Sequence, residues 1–138
     1  MRTLIGNGEV NTYHPHCLLC GDRNPWGLKL RFAAAEDGEV RAVFKGRRLL
    51  EGYDGLLHGG VIASLLDSAM TNCLLQQGIE AVTGELNVRY LHPVSCTAEL
   101  ELRARVATER RPLYVLTSEL VTQGRSVARA SAKFMMKS

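Results

Sequence analysis

The segment from His58 to Met70 holds the residues whose types and spacing are best suited to chemistry. Two glycines, Gly59 and Gly60, directly precede an apolar helical pattern that carries a single acid, Asp67. Unpaired amides at a helix N-terminus favour negative charge, and glycine lets another group approach them closely. A carboxylate can act as a nucleophile or as a general base. The segment therefore predicts an oxyanion site at Gly59 and attack or proton abstraction by Asp67.

The separation of Gly59 and Asp67 places a condition on this chemistry. Eight residues at a rise of about 1.5 Å each put the two positions roughly 12 Å apart along a helix. One carbonyl group cannot contact both across that distance. A working site then needs two copies of the chain, which predicts a homodimer or a homotetramer made of two such dimers.

The sequence predicts that one largely buried helix holds these residues. Apolar residues recur at helical spacing in two neighbouring rows: Val61, Leu65, Ala69 and Cys73, and Ile62, Leu66, Met70 and Leu74. Gly78 is the expected stop signal. A narrow polar stripe suits either a polar cleft or solvent, and it consists of Ser64, Asp67, Ser68 and Thr71.

Strand patterns flank this helix on both sides. Alternating residues predict a hairpin from 28–32 and 40–44, followed by a glycine-containing loop over 45–57. Four more strands are predicted after the helix, over 82–92, 97–107, 113–122 and 127–136. This order predicts the α+β class, with an antiparallel sheet and a helix on one of its faces. Small residues on the last strand leave room for the helix: Ala128, Ala130 and Ala132.

The helix start and the strand after it resemble the PaaI-type acyl-CoA thioesterases of the hotdog-fold superfamily. The His-Gly-Gly turn at 58–60 is similar to the turn that begins the family's central helix. Asp67 stands eight residues after the first glycine, as in the family. Asn87, Tyr90 and Pro93 resemble the family's Asn-x-x-Tyr-x-x-Pro strand.

The resemblance covers about residues 17–136 and implies a fold, an activity and an assembly. The fold is a curved antiparallel sheet wrapped around one long central helix, in a single domain over 1–138 with a lead-in over 1–26. The activity is hydrolysis of the thioester of a small or medium acyl- or aryl-CoA, without a cofactor. The two central helices of a dimer are expected to approach each other across the two-fold axis.

Roles for individual residues also follow from the resemblance. Asp67 and Gly59 are the catalytic pair, and Thr83 stands where relatives often carry a hydroxyl that positions the hydrolytic water. His58 is interpreted as a positioning group, although it can equally cap the helix. Glu85 is the weaker candidate base.

Substrate contacts are assigned to Gly60, Asn87 and Arg89. Five outward-facing arginines are candidates for the CoA phosphates or are solvated surface: Arg89, Arg103, Arg105, Arg125 and Arg129. Glu51 falls near the place where many relatives carry a glutamine or an asparagine.

A non-catalytic acyl-CoA-binding or ligand-sensing hotdog module is the rival interpretation, because one fold hosts several functions. A purely structural dimerisation domain is a third, and it predicts no ligand affinity. The presence of both Gly59 and Asp67 favours the enzyme.

The pair Cys17 and Cys20 has the spacing of half a zinc site, with His14 or His16 as a third ligand. No fourth ligand is evident nearby. A similar Cys-x-x-Cys-Gly segment followed by Asn-Pro-x-Gly-Leu occurs in some hotdog relatives as a packed N-terminal turn, so the sequence predicts such a turn within the lead-in over 1–26 and no metal. A redox role is rejected because a thioredoxin-like strand and helix do not surround the pair.

Composition excludes other classes. Seventeen basic and fourteen acidic residues give a net charge of +3, which suits an anionic small molecule and is far below a nucleic-acid footprint. No apolar run reaches the roughly eighteen residues of a membrane span, and none near the start resembles a signal peptide. A cytoplasmic protein with reduced thiols is therefore expected, with neither nucleic acid nor membrane as partner.

Overall fold

In the computed structural model, which describes residues 14–35 and 37–137, one long helix packs against a six-stranded antiparallel sheet. The helix, α1, spans Gly59–Leu75. The strands are β1 (Ala33–Ala34), β2 (Val40–Lys45), β3 (Ala81–Tyr90), β4 (Glu99–Arg110), β5 (Leu113–Thr122) and β6 (Arg125–Met136). Their order in the sheet is β1-β2-β4-β5-β6-β3. The predicted α+β class is confirmed.

Helix α1 is buried along both of its apolar rows. The core residues it contributes are Ile62, Leu65, Leu66, Ala69, Met70, Cys73 and Leu74. The chain turns away where the sequence predicts, because Gly78 adopts a φ of 76° that favours glycine. The Ile79 amide then donates to the Leu74 carbonyl at 3.0 Å.

The three alanines of β6 lie under this helix. Ala128, Ala130 and Ala132 are all buried. Their small side chains leave the space that the helix occupies, and Ser118 Oγ on β5 donates to the helical carbonyl of Leu66 at 3.1 Å. The sheet and the helix are therefore joined by both packing and a buried hydrogen bond.

The first predicted strand is wrong in position. Residues 28–32 form no strand, and β1 is a two-residue segment after them that pairs with β2. The amides of Leu28 and Leu30 instead donate to carbonyl oxygens of the turn over 18–19, at 2.9 and 2.8 Å. Lys29 between them has a φ of 54°, which interrupts the extended backbone. The alternation of apolar and polar residues nevertheless predicted correctly that Leu30 is buried.

A β-bulge in β3 decides which of its residues face the helix. Thr83 pairs with Phe134 and Glu85 with Lys133, so Gly84 between them is the extra residue. Because successive side chains alternate between faces, one inserted residue reverses the phase of the strand. Thr83 therefore faces the helix beside the buried Phe134. Glu85 faces the other way and forms an ion pair with Lys133 at 3.4 Å.

Strand β3 lies at the edge of the sheet, and most of its residues are exposed. Ten residues of unpaired edge present a row of backbone donors and acceptors to another chain. Among the described residues, no helix combines the length and the apolar character that crossing a membrane requires. Part of the predicted lead-in, residues 1–13, lies outside the described residues.

Candidate active site

Asp67 and Thr83 meet directly between the helix and β3. The Thr83 hydroxyl donates to Asp67 Oδ1 at 2.7 Å. Asp67 is half-buried, and Thr71 Oγ1 donates to its backbone carbonyl at 3.0 Å. The bond to Thr83 fixes the orientation of the carboxylate and leaves Oδ2 for a water molecule or a substrate carbon. This arrangement suits either a nucleophile or a general base.

The bulge at Gly84 is what brings these two side chains together. In an unbroken alternation, Thr83 would share a face with Glu85, Asn87 and Arg89, which point away from the helix. A glycine between Thr83 and Glu85 was the available signal for a bulge in the sequence. Sequence reasoning assigned Thr83 a role without identifying the feature that aims it.

The glycines at the start of α1 are held by two neighbouring side chains. His58 Nδ1 accepts from the Gly60 amide at 2.8 Å, which is an N-cap contact. The Tyr90 hydroxyl donates to the Gly59 carbonyl oxygen at 2.7 Å. These bonds clamp the peptide group between Gly59 and Gly60 at both its N–H and its oxygen. The Gly59 amide has no acceptor within the described ranges, so it is the group free to meet an oxyanion.

The two candidate groups lie at different points along β3. Tyr90 contacts the helix at Gly59, and Thr83 contacts it at Asp67. These strand residues are seven positions apart, so the oxyanion donor and the carboxylate are held separately. Both contacts therefore leave the two groups at separate positions along α1, as the helical rise requires.

An open, mostly apolar cavity of about 510 Å³ adjoins Gly59. Its walls come from the loop before the helix, the first helical turn and the end of β3 with the residues after it. They include Tyr53, Leu56, Leu57, Ile62, Tyr90 and Val94. In the sequence, Tyr90 stands out only as part of the Asn-x-x-Tyr-x-x-Pro pattern, and no motif marks Tyr53. Asp67 is not among the lining residues, which again separates it from Gly59.

The three predicted substrate contacts do not converge on Asp67 within one chain. The Gly60 amide is occupied by His58. Asn87 and Arg89 point away from the helix, opposite Ser131 and Arg129 of β6. Their roles toward the substrate stay predictions.

The two other acids considered from the sequence have local partners. Glu51 Oε2 accepts from the Gly55 amide at 3.0 Å and so stabilises its own loop. Glu85 pairs with Lys133 on the outer face. Of these three acids, Asp67 is the one whose carboxylate lies between α1 and β3.

A second group of reactive side chains lies in the turn at the start of the described chain. His14, Cys17 and Cys20 offer ligand atoms that all lie within 4.8 Å of one another. All four cysteines are free thiols. The hydrogen bond from the Cys20 side chain lowers the pKa of Cys17, while the same bond together with burial raises the pKa of Cys20.

A six-stranded antiparallel sheet packed against one long central helix is the architecture of a hotdog-fold protein. The sequence profile of the thioesterase superfamily matches residues 54–129, which is more than half of the chain. The chain belongs to this superfamily.

Two curated relatives are acyl-coenzyme A thioesterases. Acyl-coenzyme A thioesterase THEM4 of Mus musculus is 31% identical over 75 residues, covering 54% of this chain and 32% of its own length. Acyl-coenzyme A thioesterase 13 of Homo sapiens is 27% identical over 107 residues, covering 70% and 76%. The chain thus spans about a third of the THEM4 relative.

Solved structures share the fold. A thioesterase superfamily protein superposes with a TM-score of 0.82 at 23% identity, covering 88% of this chain and 60% of its own. The PaaI protein of E. coli gives 0.74 at 22% identity, covering 80% and 81%. A hypothetical thioesterase from Streptococcus pneumoniae, solved with coenzyme A, gives 0.73 at 22% identity, covering 78% and 88%. The predicted hotdog fold and PaaI-type resemblance are confirmed.

Proposed function

We propose that this protein is an acyl-CoA thioesterase that hydrolyses small or medium acyl- or aryl-CoA. The observation that carries the proposal is the 2.7 Å hydrogen bond between Thr83 and Asp67, since it orients a carboxylate on the central helix. Membership of the thioesterase superfamily and the similarity to acyl-coenzyme A thioesterases support the same reaction. The coenzyme A in the Streptococcus pneumoniae structure supports the ligand class.

The reaction divides between the two ends of α1. Asp67 either attacks the thioester carbonyl carbon or takes a proton from the water that attacks it. The Gly59 amide donates to the carbonyl oxygen as that oxygen becomes negative. The carbon–sulfur bond then breaks, and CoA leaves as its thiol after taking a proton. In the general-base route the attacking water becomes part of the carboxylic acid that is released. In the nucleophilic route the acyl group stays on Asp67 as an anhydride until a water molecule hydrolyses it to the free acid and restores the carboxylate. No cofactor is required, because helix amides polarise the carbonyl.

The site is completed across a homodimer. Gly59 and Asp67 are too far apart within one chain, so Gly59 of one protomer works with Asp67 of its partner. The exposed edge of β3 supports this assembly because it can continue the sheet into a second copy. A tetramer made of two dimers is consistent with the same interface.

The apolar cavity beside Gly59 is the proposed place for the acyl or pantetheine arm of the substrate. Its volume of about 510 Å³ falls in the range of small-molecule pockets. Aromatic walls from Tyr53 and Tyr90 suit aryl and medium-length acyl groups alike. The reacting carbonyl then lies at the mouth of the cavity, next to the Gly59 amide.

The experiment that tests this function compares Asp67→Asn with Glu85→Gln. Free-thiol release is measured over a panel of acyl-CoAs, and binding is measured separately by calorimetry. Asp67→Asn keeps the shape but removes the charge, so kcat should fall at least about a hundredfold while binding persists. Glu85→Gln should stay close to the unchanged protein, because Glu85 faces Lys133.

Two results would contradict the proposal. Equal losses in both variants would mean that Asp67 has no special role. Binding of acyl-CoA without thiol release by the unchanged protein would favour the non-catalytic acyl-CoA-binding module instead.

A further inference from the structure

We propose that His14, Cys17 and Cys20 form a zinc-binding site, separate from the thioesterase machinery. Their three ligand atoms lie within 4.8 Å of one another, and Cys20 Sγ is 3.8 Å from His14 Nδ1. A tetrahedral zinc ion with bonds of about 2.3 Å to sulfur and about 2.0 Å to nitrogen places its ligand atoms roughly 3.5–3.8 Å apart. A small contraction of the cluster therefore gives this geometry.

The chemistry of the donors selects zinc. Two thiolates and one imidazole form a soft set that suits Zn²⁺ and poorly suits magnesium or calcium. The sequence analysis predicted no metal because only half a motif was recognisable. The structure supplies the third ligand by folding His14 back over the two cysteines. The expectation of no metal is revised for this reason.

The backbone around the cluster is already shaped to hold it. The Cys17 amide donates to the His14 carbonyl at 3.2 Å, and the Gly21 amide donates to the Cys17 carbonyl at 3.0 Å. A side chain at Gly21 would lie 2.5 Å from the Cys17 nitrogen, so only glycine closes this turn.

Asn72 supports the cluster from the core side. Both Cys20 and Asn72 are only 1% exposed. The Asn72 side chain lies beside Cys20, and its Nδ2 donates to the Ser68 carbonyl at 2.9 Å. A buried amide beside a sulfur ligand is the kind of outer contact that tunes metal sites. The cluster is thereby attached to helix α1.

Three protein ligands leave one position of a tetrahedral zinc ion for water. His14 and Cys17 are half-buried, so solvent can reach that position. The metal would hold the turn against Asn72 of the helix and against the residues near 28–30 that bond to it. Its role is stabilisation of the fold, because the thioesterase reaction proposed above uses other groups.

The test measures zinc in the full chain purified with zinc supplied and then desalted. We expect about one zinc ion per chain by elemental analysis. Cobalt(II) in its place should give the thiolate charge-transfer and visible bands of tetrahedral coordination. Cys17→Ser and His14→Gln should each weaken zinc binding at least about tenfold. His16→Gln is the matched control, since His16 lies outside the cluster and its variant should bind as the unchanged protein does.

A stability measurement keeps the test informative if a variant folds poorly. Adding a chelator to the unchanged protein should lower its melting temperature by about 5 °C or more, and zinc should restore it. The proposal is overturned if zinc and cobalt bind no better than to Cys17→Ser. A Cys17–Cys20 disulfide in freshly isolated protein, seen as a loss of two hydrogens by mass spectrometry, would also overturn it.

Discussion

Single hydrogen bonds decide which groups near the helix are available for chemistry. Thr83 orients the carboxylate of Asp67, and Tyr90 with His58 fixes the peptide between the two glycines. The consequence is that the Gly59 amide is free while the Gly60 amide is occupied. The bond from the Gly60 amide to His58 therefore leaves the Gly59 amide as the one available for the proposed contact with an oxyanion.

Replacing Thr83 by valine tests this scale directly. Thr83→Val keeps the branched shape and removes the hydroxyl that bonds Asp67, so kcat should fall about tenfold with little change in KM. Thr83→Ser keeps the hydroxyl and should retain most of the activity. Steady-state kinetics on one acyl-CoA suffice. Equal activity in the valine and serine variants would show that the bond contributes nothing to turnover.

At the scale of elements, the bulge in β3 turns Thr83 toward the helix and Glu85 toward the outer face of the sheet. Residues 85–90 keep their pairing with β6, while residues 81–83 are shifted in phase. Thr83 reaches the helix for that reason, and Glu85 can pair with Lys133 on the outer face. A regular strand would have put both residues on the outer face.

Deletion of Gly84 should remove the bulge and make Thr83 the direct neighbour of Glu85. Regular alternation then still places Thr83 opposite Phe134 and facing Asp67, so the folded deletion variant should keep most of its kcat, in contrast to Thr83→Val. Gly84→Ala keeps the extra residue and is the control, because an added Cβ meets only the Lys133 carbonyl at an ordinary 3.5 Å. Circular dichroism checks folding, and kcat checks the site. A loss of activity as large as that of Thr83→Val in the folded deletion variant would mean that the bulge does more than accommodate Gly84.

At the scale of the whole molecule, the unpaired edge of the sheet and two residues of the proposed active site belong to the same strand, β3. Most of strand β3 is exposed. Its residue Thr83 contacts Asp67, and its residue Tyr90 contacts Gly59. A second copy at this edge would supply backbone partners for the strand and the missing half of the site. The proposed dimer therefore answers two separate requirements.

Mixing two inactive variants tests the shared site. Asp67→Asn lacks the carboxylate, and Gly59→Val obstructs the approach to the free amide, so each homodimer should be nearly inactive. Random exchange makes half of the dimers mixed, and each mixed dimer has one site with both native groups. Activity should then recover to about a quarter of the unchanged protein per subunit.

The outcome depends on exchange between subunits, which native mass spectrometry of tagged chains can verify. Absence of recovery after verified exchange would place Gly59 and Asp67 of one chain in the same site. An active monomer in sedimentation would contradict the shared site in the same way.

The sequence by itself determined the class of the fold and the central helix. Its two apolar rows require burial on most sides, and Gly78 provides the stop, both of which are local properties. The last four strands follow from alternation for the same reason. The separation of Gly59 and Asp67 also follows from the sequence, because helical rise is fixed whatever the surroundings.

Only the tertiary structure decided how side chains from different elements meet. Pairing between β3 and β6 creates the bulge that aims Thr83, and contact with the preceding turn prevents residues 28–32 from forming a strand. The clamp on Gly59 and the cluster of His14 with the two cysteines likewise join residues that no periodicity relates. Local patterns fix which face a residue prefers, but register and close approach depend on partners distant in the chain.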